Sequence, residues 1–119
     1  MPAGLLDTSV LIDLDAICTM TLAELAAGPH VTDDPAERAR RQARLQQVEA
    51  LFDPLPLDVA ASRSYGLVVA AVVAAGGRQR SRVADLLIAA IAHANALPLY
   101  TRNPDDFTGL EDLIIVTTI

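Results

Sequence analysis

The residues best suited to do chemistry are acids that stand beside strongly apolar segments. Asp7 directly follows the apolar pair at positions 5 and 6, and Asp85 interrupts the apolar run from 83 to 92. An ionised carboxylate in so apolar a helix needs a partner, which could be Arg82, the positive end of the helix dipole or a bound cation. Asp85 is therefore the acid that structure alone explains least well.

Three further acids have a structural as well as a functional interpretation. Glu24 closes the pattern Thr21-Leu22-Ala23-Glu24, which is typical of a capping box at the start of a helix. Asp105 and Asp106 lie in a predicted turn, where aspartate is common. Asp7 could likewise cap the helix that follows it. Taken singly, none of these acids demands an active site.

Together, however, the acids fit a site for a hard divalent cation. Magnesium and manganese sites that work on phosphodiesters recruit one to several carboxylates, together with waters and phosphate oxygens. Three or four carboxylates gathered without a metal would repel one another and raise one another's pKa. The combination predicts a metal site if the fold brings these acids to one place.

Short apolar segments that alternate with helical ones predict an α/β fold, with a parallel sheet covered on both faces. The predicted strands cover 5–6, 17–20, 97–101 and 113–118. The predicted helices run from Thr21 to a stop at Gly28-Pro29, from Pro35 to Phe52, from an Asp58 cap to about Ala75, and from Arg82 to Ala96 behind a Ser81 cap. In such sheets functional groups gather beyond the carboxyl ends of the strands, where Asp7 and the turn at 103–106 would both lie.

Composition narrows the class of protein. A chain of 119 residues that is 52% apolar and 20% charged predicts one compact domain spanning 1–119. The longest uncharged apolar stretch, 67–75, is about half of what a membrane span needs, so we expect no membrane contact. No basic segment precedes Asp7, which argues against a signal peptide. The single cysteine, Cys18, excludes an internal disulfide, and a reducing cytoplasm is the expected compartment.

Charge is distributed unevenly along the chain. All nine basic residues are arginines, against fifteen acids and a net charge of −6, and this balance argues against a non-specific nucleic-acid binder. Seven arginines nevertheless fall into two clusters, at 38–44 and 78–82. Because guanidinium groups bind phosphate bidentately, a local cluster could grip a phosphodiester chain. For the first cluster, a solvated helix face is the simpler interpretation.

Four segments, in chain order, resemble the PIN-domain ribonucleases, and most closely the VapC toxins of bacterial toxin-antitoxin pairs. The segments are Leu6-Asp7-Thr8-Ser9-Val10-Leu11-Ile12, Thr21-Leu22-Ala23-Glu24-Leu25, Asp85-Leu86-Leu87-Ile88-Ala89-Ala90 and Leu99-Tyr100-Thr101-Arg102-Asn103-Pro104-Asp105-Asp106-Phe107. Each is weak alone, but their order and spacing extend over nearly the whole chain. The resemblance implies an α/β/α sandwich around a mostly parallel sheet, endoribonuclease activity dependent on Mg²⁺ or Mn²⁺, a homodimer, and neutralisation by a VapB-type antitoxin.

The resemblance also assigns residues. The three acids that hold the metal in this family match Asp7, Glu24 and Asp85. At the fourth acidic position this chain has Asn103 where some relatives have an acid, so the assignment goes to Asp106. Asn103 would then orient Asp106 or a water bound to the metal, and Asp105 is the alternative ligand.

Hydroxyl and guanidinium groups near these acids receive supporting roles. Thr8 or Ser9 could donate a hydrogen bond to Asp7 or to a metal-bound water, with helix capping as the alternative. Arg82 or Arg102 could position the substrate phosphate, and a salt bridge would explain either residue equally well.

The expected reaction is hydrolysis of an RNA phosphodiester bond by metal-activated water. Two other classes of function share some of these features. Phosphatases of the haloacid dehalogenase type and response-regulator receivers also place an aspartate after a strand, but they rely on a lysine, and this chain has none. A catalytically inactive PIN-like module that binds RNA or a protein partner is the other alternative.

One feature departs from the family pattern. Family members place a longer segment, including a helix, between the first strand and the helix that carries the glutamate. Here only seven residues separate Asp13 from Thr21. The resemblance therefore implies either a shortened element at this point or residues missing from the sequence.

Overall fold

The computed structural model describes the backbone of residues 5–6 and all of residues 18–118. Its helices are α1 (Thr19–Ala27), α2 (Pro35–Leu51), α3 (Val59–Ala74) and α4 (Val83–Ala94). Its strands are β1 (Leu5–Leu6), β2 (Leu99–Thr101) and β3 (Val116–Thr118), and three short 3-10 helices are η1 (Gly28–Val31), η2 (Gln79–Ser81) and η3 (Pro104–Phe107). Within these residues, no helix is both long and apolar enough to span a bilayer.

The three described strands form one parallel sheet in the order β1-β2-β3. Leu6 is paired with Tyr100, and Thr101 is paired with Thr118. Because parallel strands point the same way, their carboxyl ends share one edge of the sheet. The predicted parallel sheet is confirmed, and its carboxyl edge is the place to look for function.

Helices cover both faces of this sheet. Successive side chains of a strand point to opposite faces, and all three residues of β2 are buried. Leu99 belongs to the main core, which is built largely from α3 and α4. Tyr100 belongs to a second cluster with Val48, and Leu25 and Phe52 from the α1 and α2 regions pack against it. These two clusters define the predicted α/β/α sandwich.

Two helices follow the sequence signals closely. Helix α2 begins at Pro35 and ends at Leu51, and the N–H of Phe52 closes it on the carbonyl of Val48 at 3.0 Å. Helix α3 is capped as predicted by Asp58, whose Oδ1 accepts a hydrogen bond from the Ala61 N–H at 2.8 Å. In both helices a signal in the local sequence, Pro35 for α2 and the Asp58 cap for α3, was sufficient to predict where the helix starts.

The predicted capping box and the predicted strand at 17–20 are wrong. Helix α1 begins at Thr19, so Thr21 lies inside the helix, buried with its hydroxyl 3.6 Å from the Cys18 Sγ. Cys18 forms only an isolated bridge with Leu55, whose carbonyl accepts a hydrogen bond from the Thr19 N–H at 2.9 Å. This contact with a distant segment fixes the helix start two residues before the local signal.

The predicted Ser81 cap is also wrong. The Ser81 hydroxyl donates to the carbonyl of Arg78 at 3.2 Å within η2, and α4 begins at Val83. The same helix ends two residues early because Ala96 takes a positive φ of 53°. Strands β2 and β3 are shorter than predicted, since residues 97–98 and 113–115 lie in the connections that precede them.

Candidate active site

The first part of the predicted site falls outside the described residues. Asp7, Thr8 and Ser9 all belong to that part of the chain, so their assigned roles stay predictions. The backbone of β1 ends at Leu6, beside Tyr100 of β2.

Helix α4 connects the other predicted acids, because it carries one of them and packs against the elements that carry the others. It carries a half-buried Asp85 in its first turn, and it packs against both α1 and η3. Helix α1 carries Glu24, which is exposed, and η3 carries Asp106, which is half-buried. Within residues 18–118, no three His, Cys, Asp or Glu side chains lie close enough together to hold a metal ion.

A chain of hydrogen bonds leads from the carboxyl end of β2 to Asp106. The fully buried Thr101 accepts a hydrogen bond at its Oγ1 from the Asn103 N–H, at 2.9 Å. The carbonyl of Asn103 in turn accepts a hydrogen bond from the Asp106 N–H, at 3.1 Å. The main chain of Asn103 thus helps to hold the backbone of Asp106 in the turn, while the predicted role of Asn103 toward the Asp106 side chain or a water stays a prediction.

The structure distinguishes the two neighbouring aspartates. Asp105 is exposed, and its carbonyl accepts hydrogen bonds from the hydroxyl and the N–H of Thr108, at 2.9 and 3.4 Å. Asp106 is half-buried and lies on the side of η3 that contacts the region of α4. Asp106 is thus the less exposed of the two aspartates, and its main chain is bonded to Arg82.

Arg82 connects the start of α4 to η3. Its Nη1 donates a hydrogen bond to the carbonyl of Asp106 at 3.1 Å, and the side chain is half-buried. A charged donor on a carbonyl, partly removed from water, contributes more than an ordinary hydrogen bond. Arg82 therefore holds the turn that bears Asp106 against the helix that bears Asp85. Arg102, the other predicted phosphate ligand, is exposed.

Gly77 provides the space that Arg82 occupies, a role that sequence reasoning missed. A Cβ on Gly77 would lie 2.6 Å from the Arg82 Nη2 and 2.9 Å from the Cγ1 of the buried Val72. In the sequence, the Gly76-Gly77 pair that follows Ala75 predicts only a helix stop. Gly76 alone supplies the positive φ, at 83°, that ends the helix. One glycine is sufficient to stop a helix, so the presence of a second glycine was the signal that position 77 has a different role.

The first arginine cluster is a helix face, as the simpler interpretation predicted. Arg40 and Arg41 contact the Glu37 carboxylate at 2.6 and 3.0 Å, and their hydrogen bonds hold the pKa of Glu37 below its usual value. Arg38 donates to the carbonyls of Pro29 and Thr32, at 3.0 and 2.8 Å. Arg38, together with Arg41 at the Gly28 carbonyl, packs α2 on η1, whereas Arg40 pairs within α2.

Comparison with known proteins gives this architecture a family. No protein-family model matches the chain. Ribonuclease VapC5 of Mycobacterium tuberculosis is 36% identical, over 98% of this chain and 94% of the relative, and ribonuclease VapC4 of the same bacterium is 30% identical over 96% and 95%. The crystal structure of VapBC-5, a toxin-antitoxin system of M. tuberculosis, matches with a TM-score of 0.82 at 36% identity, covering 98% of this chain and 97% of that chain.

A parallel sheet between two helical layers, with acids on the elements around its carboxyl edge, is the architecture of a PIN-type nuclease. This chain is 36% and 30% identical to two VapC ribonucleases over nearly its whole length, and it therefore belongs to the VapC ribonuclease family. The alignment with VapC5 runs over 131 residues, so VapC5 has residues without a counterpart among the 119 of this chain. The resemblance predicted such a difference between Asp13 and Thr21, a segment that lies largely outside the described residues.

We predict that Gly77→Ala lowers the free energy of unfolding by about 1–3 kcal/mol, because the added methyl group overpacks Val72 and displaces Arg82. Urea unfolding measures this change, and hydrogen exchange at the Asp106 amide should become faster. Gly66→Ala is the matched control, since nothing lies within 4 Å of its Cβ. It should stabilise α3 by about 0.5–1 kcal/mol. Equal stabilities of the two variants would contradict the assignment of Gly77.

Proposed function

We propose that this chain is an endoribonuclease toxin that hydrolyses RNA phosphodiester bonds with the help of Mg²⁺ or Mn²⁺ and is neutralised by a VapB-type antitoxin. Its 36% identity to ribonuclease VapC5 over 98% of the chain is the observation that carries the proposal. The similar VapBC-5 structure comes from a toxin-antitoxin system, which supports an antitoxin partner here. The expected compartment is the cytoplasm, where a buried free thiol such as Cys18 stays reduced.

The chemistry of the donor set fits a hard divalent ion. Asp85 is a carboxylate on α4, Glu24 and Asp106 are carboxylates on two elements that pack against α4, and Asp7 follows β1 directly in sequence. Glu24, Asp85 and Asp106 do not lie close enough together for these three alone to hold a metal ion. We therefore assign the ion to the set of four with Asp7 included, since magnesium and manganese prefer oxygen ligands and an ion would draw the carboxylates together. When bound there, such an ion would lower the pKa of a coordinated water and neutralise charge on the phosphate.

The chain's own contribution is to hold these acids in place. Asp85 lies in the first turn of a helix that buries six of its twelve residues, which restrains its backbone. Arg82 and Asn103 hold the backbone of Asp106 from two sides. Such preorganisation reduces the cost of gathering like charges around an ion.

We predict that the purified chain cleaves single-stranded RNA in Mn²⁺ or Mg²⁺ and that EDTA abolishes the cleavage. Asp85→Asn should lower kcat/KM by at least about 100-fold, because even partners of metal ligands cost roughly 10–100-fold when removed. Asp112→Asn removes an exposed acid elsewhere and should leave the rate unchanged. Full cleavage by Asp85→Asn, or cleavage that persists in EDTA, would contradict the proposed function and favour a module that only binds.

A second pair of variants tests which aspartate completes the site. Asp106→Asn should lower kcat/KM by more than about tenfold, whereas Asp105→Asn should change it by less than about twofold. The two substitutions remove the same charge at adjacent positions, so general electrostatics would affect both alike. A larger loss in Asp105→Asn would reassign the fourth acid.

We also propose that the chain forms a homodimer through the outer side of α3. That side presents Val59 and Leu67, which are 67% and 54% exposed. Sedimentation velocity should show a dimer for the parent chain and a monomer for Leu67→Glu. Leu51→Glu, at a similarly exposed leucine on α2, should stay dimeric. A parent chain that is monomeric throughout would contradict the dimer.

A further inference from the structure

A groove lies at the junction of α3 and α4, beside the proposed site. It has a volume of about 580 Å³ and is lined by Val73, Gly77, Arg78, Gln79, Arg80 and Ser81; we call it the η2 groove. We propose that the η2 groove binds phosphates of the RNA strand next to the cleaved bond. This inference rests on the proposed function and adds the surface that grips the substrate.

The charge of the groove is opposite to that of the chain. Its lining includes two arginines and no acid, although the net charge of the protein is −6. Arg78 and Arg80 are both exposed, and no group within residues 18–118 forms an ion pair or a hydrogen bond with either guanidinium. In the first cluster, by contrast, Arg40 and Arg41 are already paired with Glu37. Arg78 and Arg80 are therefore available to an external anion.

The backbone that presents these two arginines is held in one conformation. The Tyr65 hydroxyl donates to the Gln79 Oε1 at 3.3 Å, and the N–H of Arg82 donates to the Gln79 carbonyl at 3.1 Å. The Ser81 hydroxyl donates to the carbonyl of Arg78 at 3.2 Å. A groove fixed in this way loses little conformational entropy when a ligand binds.

The η2 groove is continuous with the elements that carry the acids. The guanidinium of Arg82 lies where a Cβ on Gly77, in the lining, would stand, and it donates to the carbonyl of Asp106. Asp85 lies in the first turn of α4, which begins two residues after Ser81. The lining of the groove is therefore joined along the chain to the helix that carries Asp85, and through Arg82 to the turn that carries Asp106.

The lining also indicates which part of RNA it contacts. It has no aromatic side chain on which a base could stack, so the recognition falls to guanidinium and phosphate. A volume within the usual range of ligand pockets, roughly 300–1,000 Å³, suits a short stretch of single strand. The groove should add affinity without adding sequence preference, because phosphates are the same at every position.

The test measures binding separately from cleavage. A fluorescein-labelled single-stranded RNA of mixed sequence is titrated with protein in EDTA, and its anisotropy gives Kd between roughly 50 and 200 mM salt. For Arg78→Ala/Arg80→Ala, the slope of log Kd against log salt should fall by about 1.4, since each phosphate contact on a single strand contributes about 0.7. Kd at the lowest salt should weaken by about tenfold.

Two further variants keep the interpretation specific. Arg40→Ala/Arg44→Ala removes the same charge from α2 and should leave the slope unchanged, and Arg78→Lys/Arg80→Lys should retain most of it. The proposal would be overturned if Arg78→Ala/Arg80→Ala kept the salt slope of the parent chain. It would also be overturned if Arg40→Ala/Arg44→Ala lowered the slope by as much as Arg78→Ala/Arg80→Ala. Parental RNA binding together with weaker inhibition by antitoxin would overturn it too, in favour of a protein partner. Because binding is measured without metal, failure of the parent chain to cleave RNA would refute only the proposed function.

Discussion

The hydrogen bond from Arg82 to the carbonyl of Asp106 connects the parts of this molecule on which its function depends. Arg82 lies at the start of α4, directly before a helix that is buried over most of its length, and Asp106 lies in the turn after β2. Without this contact, the two acids on those elements would depend only on the packing around them. Only glycine at position 77 leaves space for the Arg82 guanidinium, so a residue outside the site determines whether this contact can form.

The burial of β2 supplies the other constraint. A strand that is buried on both faces must be covered by helices on both sides, and a parallel sheet brings all its carboxyl ends to one edge. Tyr100 faces the α1 and α2 layer while Leu99 faces the α3 and α4 layer. Acids from distant parts of the sequence are thereby carried on elements that meet around one edge.

Local patterns and caps such as Asp58 predicted the parallel sheet covered on both faces and the α2 and α3 helices, whereas the α/β/α sandwich was implied by the resemblance to the PIN-domain ribonucleases. Sequence reasoning failed at Thr21 and Ser81, where a local capping signal competes with tertiary contacts. The bridge between Cys18 and Leu55 starts α1 early, and the η2 turn uses the Ser81 hydroxyl for itself. The types of the site residues were readable from the sequence, whereas the roles of Gly77 and the Asn103 main chain depend on distances that no pattern encodes.

The central claim is that acids far apart in the sequence meet around one divalent ion. A crystal structure of the chain grown with Mn²⁺, measured at the manganese absorption edge, tests this claim directly. We predict an anomalous peak with carboxylate oxygens of Asp7 and Asp85 at about 2.1 Å and with Glu24 bound directly or through a water. Ordered carboxylates of these residues at the carboxyl edge of the sheet, with no anomalous peak between them at saturating Mn²⁺, would contradict the account.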